Sequence, residues 1–186
     1  MSLHKIVLFG DHKVGKSCFM IRITQNLFVG EYQPHMDSSH RRMFPWQEEE
    51  LLLEFLEVPL DVGEPGYQQY FNAATVIVLM FPLQSSKSLD FVAGHFNKMG
   101  EKRPVLLLGT KCDEKERRVS TNEACELAEA MDAPYFECSS KENTNFDQIL
   151  PTLLELVHNN SPRATSPPNS HAITTTRKPK HYCVIV

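Results

Sequence analysis

The residues GDHKVGKS, 10 to 17, follow the short aliphatic run HKIVLF and precede a helix-like stretch from Lys16 to about Gln25. That order of strand, glycine-bounded loop and helix constrains the chain more than any other feature. Gly10, Gly15, Lys16 and Ser17 satisfy the spacing G-x-x-x-x-G-K-[ST], whose backbone amides and helix N-terminus surround phosphate oxygens. In such a loop Lys16 reaches the outer phosphates and the Ser17 hydroxyl is a magnesium ligand. Asp11, His12, Lys13 and Val14 stand between the glycines, and Cys18 follows in the helix, so 10 to 18 is the candidate cradle.

Further aliphatic runs at 51–58, 74–81, 103–110 and 133–138 alternate with helical patterns at 86–99, 120–131 and 143–158. Runs apolar on both faces, separated by helices, predict an α/β fold with a mostly parallel sheet covered on both sides. The segment RRMFPWQEEELLLEF predicts a hairpin whose outer strand leads into an inner one, giving one antiparallel edge. In STNEACELAEAM, Ser120 or Thr121 caps a helix with Glu123 in its first turn. After His158 the chain turns to Pro, Ser, Thr and Asn, with too little apolar surface to offset ordering. The expected organisation is a domain over 1–158 and a flexible tail over 159–186.

Composition narrows the class without naming a function. A chain of 186 residues with 41% hydrophobic and 23% charged residues is expected to form one soluble domain. Its net charge of −4 gives no reason to expect a nucleic-acid partner. Five cysteines without framework spacing argue for a reducing compartment rather than a disulfide scaffold. The longest apolar stretches are strand-length, so no membrane span is expected.

From the phosphate loop onward the chain resembles the Ras superfamily of small GTPases, over residues 3 to 158 and the last four. Phe28 stands where that family keeps an aromatic beside the guanine. Tyr32, Gln33, Pro34, His35, Met36, Asp37 and Ser38 are similar to its effector loop. TKCD, with Thr110, Lys111 and Asp113, resembles the base-reading motif. Asp113 would accept the guanine N1 and N2 protons, a donor pair adenine lacks. ECSSK, with Ser139, Ser140 and Lys141, resembles the third base-contacting segment. The resemblance implies a P-loop NTPase fold of six strands, with GTP or GDP and Mg2+ as ligands. It also implies effector proteins at residues 30–40 and 63–72, an exchange factor, and a monomer. A P-loop kinase or ATPase is disfavoured by TKCD and ECSSK together and by the lack of an arginine-rich lid.

Four positions depart from the family pattern. His35 replaces a magnesium-ligating threonine, and imidazole suits this hard ion poorly. Anchoring on Gly63 and Tyr67 aligns LDVG with the family's D-x-x-G, which puts Leu60 at the metal-side aspartate and Asp61 one residue late. Two readings of Asp61 stand: a solvated loop acid, or a metal carboxylate restored by a bulge near Pro59. Glu64 occupies the place of a water-positioning glutamine, either repelling an anionic phosphoryl group or serving as a general base. His12 takes the place of a glycine beside the terminal phosphate, where bulk crowds an arginine supplied in trans. The expectation is a guanine-nucleotide switch with a weakened metal site and slow hydrolysis, Lys16 and Glu64 being the candidate catalytic residues. The alternative is an interaction module of the same fold that holds GTP constitutively or binds nothing.

The chain ends CVIV, similar to a C-a-a-X prenylation signal at Cys183, after a tail carrying Arg177, Lys178 and Lys180. One lipid with a basic run gives reversible attachment. The expected location is the cytoplasmic face of a membrane, the plasma membrane foremost, with a cytosolic pool.

Overall fold

A computed structural model describes residues 2–30, 39–60, 63–99, 103–160 and 183–184. The elements run β1 (Leu3–Phe9), α1 (Lys16–Gln25), β2 (Ser39–Trp46), β3 (Glu49–Glu57), α2 (Gly63–Ala73), β4 (Val76–Pro82) and α3 (Ser86–Phe96). They continue β5 (Val105–Thr110), α4 (Thr121–Ala130), β6 (Tyr135–Cys138), α5 (Phe146–Asn160) and β7 (Cys183–Val184). The sheet order is β2-β3-β1-β4-β5-β6-β7. Only β2 runs antiparallel, its Trp46 facing Glu49 of β3 across the two-residue turn Gln47–Glu48. The six strands of the body and their single antiparallel edge match the expected architecture. The two-residue β7 is an addition, its Cys183 in register with Tyr135 of β6.

Alternation along the inner strands sorts side chains onto two faces. Ile6, Leu8, Leu53, Phe55, Val78 and Met80 meet Phe19 and Ile23 of α1 and Ile149 and Leu153 of α5. On the opposite face Val7, Phe9, Ile77 and Leu79 meet Tyr67 and Phe71 of α2, Val92 of α3 and Ala124 of α4. Both faces are therefore covered, which explains why β4, β5 and β6 read as continuous apolar runs. Helix boundaries shift by a few residues: α3 stops at Phe96 rather than 99, and α5 spans 146–160 rather than 143–158. Ser120 caps α4, accepting the Glu123 amide proton at 3.2 Å. Helix α2 lies outside the helical patterns read from periodicity, because GEPGYQQYFNA opens with two glycines and a proline and lacks a long apolar stripe; only the family resemblance implied a helix after Gly63.

The parallel strands all point their carboxyl ends the same way, and the chain order reverses around β1. Ligands of open α/β sheets bind outside such ends, at such a reversal.

Candidate functional site

The phosphate loop occupies that position because its glycines permit a path no other residue permits. A Cβ at Gly10 would stand 2.2 Å from the Met80 carbonyl oxygen, so the chain passes β4 only as bare backbone. Gly15, the residue before α1, holds φ at 98°, in the left-handed region. Lys13 also sits there, at φ 59°, a conformation that costs a side-chain-bearing residue free energy. Val14 is buried and pins the loop, while His12 and Lys13 stand exposed on its rim. The Asp11 carboxylate accepts the His12 amide proton at 2.7 Å.

Lys16 closes the loop from within. Its Nζ donates to the carbonyls of Gly10 at 2.8 Å and Asp11 at 2.9 Å, using two of its three donors. Burial lowers its pKa, opposed by the charges of Glu57 and Asp11. Beside it, the Ser17 hydroxyl lies near enough to the Glu57 carboxylate at the end of β3 to draw its pKa down. Desolvation raises the Glu57 pKa, while Ser17, Lys16 and His40 pull the other way.

Glu57 is the residue that sequence reasoning missed. Anchoring the alignment on Gly63 and Tyr67 drew attention to Leu60 and Asp61, three and four residues downstream. Leu60 instead packs against the apolar cluster beneath α2 and accepts the Tyr67 hydroxyl proton on its carbonyl at 2.9 Å. The usable signal was strand register: Glu57 pairs with Leu8, two residues before the phosphate loop. The pair Ser17 and Glu57 fits a magnesium ion, which prefers oxygen ligands and completes its shell with water and phosphate oxygens. Among the described residues no three His, Cys, Asp or Glu side chains converge on one point.

The base-side segments are tied to this loop. The buried Thr110 hydroxyl donates to the Val14 carbonyl at 2.7 Å and lies 3.2 Å from that of Phe81, joining the TKCD segment to the phosphate loop across 96 residues of chain. Lys111 adopts φ 59°, and its carbonyl accepts from Gln84 Nε2 at 3.0 Å. Asp113 faces Lys141 at 4.0 Å. Arg22 of α1 donates to the carbonyls of Ser140 at 2.8 Å and Lys141 at 3.4 Å, so the phosphate-loop helix also holds the ECSSK segment. Ser139 is fully buried, and its hydroxyl accepts the Glu142 amide proton at 3.0 Å. Replacing Thr110 by valine keeps volume and removes the hydroxyl, leaving the buried Val14 carbonyl short of a partner. The expected loss is about 1–2 kcal/mol in a urea melt, with faster release of a fluorescent guanine nucleotide.

Behind these loops a buried carboxylate pairs with a part-exposed arginine, a contact that sequence pattern did not flag. Arg117 donates to both Glu137 carboxylate oxygens, at 2.8 Å and 2.5 Å, and Tyr135 and Thr121 add hydroxyl donors at 3.0 Å and 3.2 Å. Burial alone would raise the Glu137 pKa; the donors and the Arg117 charge outweigh it and leave it lowered. Gly109 makes room for this, since a Cβ there would meet the Tyr135 hydroxyl at 2.8 Å.

Residues 10 to 18, Thr110, Lys111, Asp113 and Ser139 to Lys141 thus gather at one end of the sheet. Phe28 follows α1 as an exposed aromatic, and the Val29 carbonyl accepts from the Cys18 thiol at 3.7 Å. Gly63 is the first residue of α2. Tyr32 to Ser38, Asp61 and the side chain of Glu64 lie outside the described residues. Cys183 lies in β7, separated from β1 by three strands.

Comparison with known proteins agrees with this geometry. The sequence matches the profile of the Ras family over residues 5–159. It is 29% identical to Ras-like protein 1 of Saccharomyces cerevisiae over 173 residues, 88% of this chain and 55% of the yeast protein. It is 30% identical to Ras-like protein rasC of Dictyostelium discoideum over 163 residues, 82% of this chain and 85% of that protein. The chain therefore spans little more than half of the yeast relative and most of the amoebal one. A phosphate loop, a Ser17–Glu57 foothold and two base-side segments on the ends of parallel strands, together with a profile match over most of its length, show that the chain belongs to the Ras family, the small GTPases that bind GTP, GDP and Mg2+ in signalling.

Proposed function

We propose that this chain is a guanine-nucleotide-binding signalling switch with slow GTP hydrolysis, attached to a membrane through its C-terminal end. The observation that carries the nucleotide reading is the Thr110 hydroxyl on the Val14 carbonyl. It couples the segment that would read the base to the loop that would hold the phosphates, so each orders the other. Guanine selectivity rests on the Asp113 carboxylate, which pairs with a donor edge that adenine does not present.

Slow hydrolysis is supported by chemistry at the rim. Catalysis of phosphoryl transfer is mostly positioning and electrostatic stabilisation. His12 stands exposed where an arginine from a partner would enter, and such an arginine contributes a factor of roughly 10³ to 10⁵ in related enzymes. Glu64 offers a carboxylate in place of a neutral amide, and Glu57 brings its charge to the metal one methylene further from the backbone than an aspartate would. Both changes weaken rate more than affinity. Effectors would read residues 30–40 and 63–72, an exchange factor would act at the same end, and prenylation of Cys183 would supply reversible attachment at the cytoplasmic face of the plasma membrane, with a cytosolic pool.

The test is to purify the chain, denature it and chromatograph what it releases. GDP is expected, followed by single-turnover hydrolysis well below that of an ordinary small GTPase. Recovery of GTP alone supports constitutive holding of the triphosphate by an interaction module. Recovery of ATP, or of no nucleotide, overturns the guanine reading, and brisk phosphate release overturns the slow-hydrolysis reading.

A further inference from the structure

The edge of the sheet farthest from β2 carries the chain's own C-terminal residues. Strand β7 lies parallel to β6, with Cys183 in register with Tyr135 and Val184 with Phe136. Without β7, β6 would be an open edge whose unpaired backbone groups template another strand. Tyr135 belongs to the core beneath α2, α3 and α4. Residues in register on neighbouring strands stand on one face of a sheet, so position 183 is on the α4 side. Helix α4 packs against β6, and its Cys125 is half-buried against the same core. The connection over residues 161–182 can reach on the order of 70 Å when extended, farther than a domain of this size is wide, so the return from α5 to this edge needs no strain.

The state of the cysteines singles out this contact. Cys125 is disulfide-bonded, whereas Cys18, Cys112 and Cys138 are free thiols. Burial raises the pKa of each of those three, which keeps them protonated and poor as nucleophiles. Of the five cysteines in the chain, that leaves the one at position 183, which strand register sets on the side of α4. One such bond is no disulfide scaffold. In a reducing compartment bonds of this kind are transient and respond to redox state.

We propose that Cys125 and Cys183 form a reversible disulfide that fastens the C-terminal strand to β6, and that this bond and lipidation compete for one sulfur. The oxidant is a small disulfide, glutathione disulfide being the probe. The Cys183 thiolate attacks it, forming a mixed disulfide and expelling one glutathione thiolate. The Cys125 thiolate then attacks the Cys183 sulfur and expels the second. The two cysteine protons end on the two glutathione sulfurs, so one oxidised glutathione yields two reduced ones and one protein disulfide. A Cys183 sulfur bonded in this way cannot form the thioether of a prenyl group, and a prenylated Cys183 has no thiol to oxidise. Excess reduced glutathione reverses the bond and frees the thiol. The competition rests on the lipidation reading above; the disulfide does not.

The test uses the full, unlipidated chain, equilibrated in glutathione buffers of rising oxidised fraction, alkylated and digested with trypsin without reduction. The expected product is the peptide 119–141 joined to 181–186, with fragmentation placing the bond at Cys125 rather than Cys138 and with Cys18 and Cys112 alkylated. Cys125→Ser and Cys125→Ala should each abolish the joined peptide and leave Cys183 alkylated. A second arm supplies farnesyl or geranylgeranyl diphosphate with the matching transferase, after the glutathione is removed. Oxidised wild type is expected to take up label at least about tenfold more slowly than reduced wild type, and Cys125→Ser treated alike to differ by less than about twofold. Joining of Cys183 to another cysteine, a mixed glutathione disulfide in place of the joined peptide, or equal uptake by oxidised and reduced wild type overturns the proposal. If reduced wild type takes up no label, the lipidation reading fails separately. The joined peptide then decides the disulfide, its presence upholding the bond and its absence rejecting it.

Discussion

Glu57→Gln is expected to weaken the magnesium dependence of nucleotide retention by about 10- to 100-fold, the range typical of altered metal-site partners. The measurement is the release rate of a fluorescent GDP across a magnesium titration, with EDTA as the limiting case. Wild-type release should accelerate sharply when the ion is removed, and the variant should already release quickly at magnesium levels that protect the wild type. Leu60→Asp should leave the titration unchanged, because the Leu60 position packs under α2 rather than facing Ser17. A general loss of fold is separable from this effect. Burial raises the Glu57 pKa, so the cost of ionising this carboxylate grows as the pH rises from the ordinary glutamate value through the raised one and is carried in full above it. Removing the charge relieves that cost, and the nucleotide-free variant should melt at or above the wild-type temperature. A lower melting temperature with an unchanged magnesium titration would make Glu57 a structural residue and remove it from the metal site.

Arg117→Ala is expected to cost about 2–3 kcal/mol near neutral pH, measured by urea denaturation. Breaking a buried pair from one side typically costs about 3–5 kcal/mol. Here the Arg117 side chain is 36% exposed and solvent screens it, which brings the figure down. The larger part of the loss comes from Glu137, whose side chain is 3% exposed and would keep only hydroxyl donors. The pH dependence follows from the sign of its shift. The folded Glu137 pKa is lowered from 4.5, so its stabilisation is fully present above that value and is lost as the pH falls through the depressed one. In the variant the carboxylate keeps its burial without its guanidinium, so its pKa rises and its charge no longer stabilises. The gap between wild type and variant should therefore close in acid. A gap that stays constant down to the acid transition would mean that Arg117 acts through packing alone.

The same pair bears on function through place. Glu137 opens the ECSSK segment, and Arg117 lies in the connection between TKCD and α4. Its Nε also donates to the Val119 carbonyl at 2.6 Å. The two base-side loops are thus braced from behind by one network, and the variant should also release nucleotide faster.

On the proposed reading, the altered residues would separate holding a nucleotide from cleaving it. Gly10, Gly15, Lys16 and Ser17 keep the geometry of the cradle, and Thr110 and Arg22 tie the base-side segments to it. On the same reading, His12 and Glu64 would stand where the family resemblance places water and a partner's arginine. Affinity and rate can diverge in such a site because binding rests on groups aimed at the ground state, and catalysis on groups aimed at charge that develops later.

Much of this was legible before any coordinates. The sheet followed from apolar runs alternating with helices, because a strand buried on both faces has no polar side to present. The cradle followed from glycine spacing, since only residues without a Cβ pass Met80 or hold the turn into α1. The base-side motifs followed from their order along the chain. Helix α2 was not legible, because its stability comes from rings on β1 and α3 rather than from its own propensity. Glu57 was hidden for a related reason: a single acid at the end of a strand gains meaning only from what lies beside it, and Ser17 stands 40 residues away in sequence. Local pattern determined most of the strands and helices and the phosphate-loop turn, α2 and β7 aside, since backbone sterics and burial act residue by residue. Tertiary structure decided which carboxylate serves the site, which arginine braces it and what holds α2, because those roles depend on through-space distances that strand order sets and spacing along the chain does not.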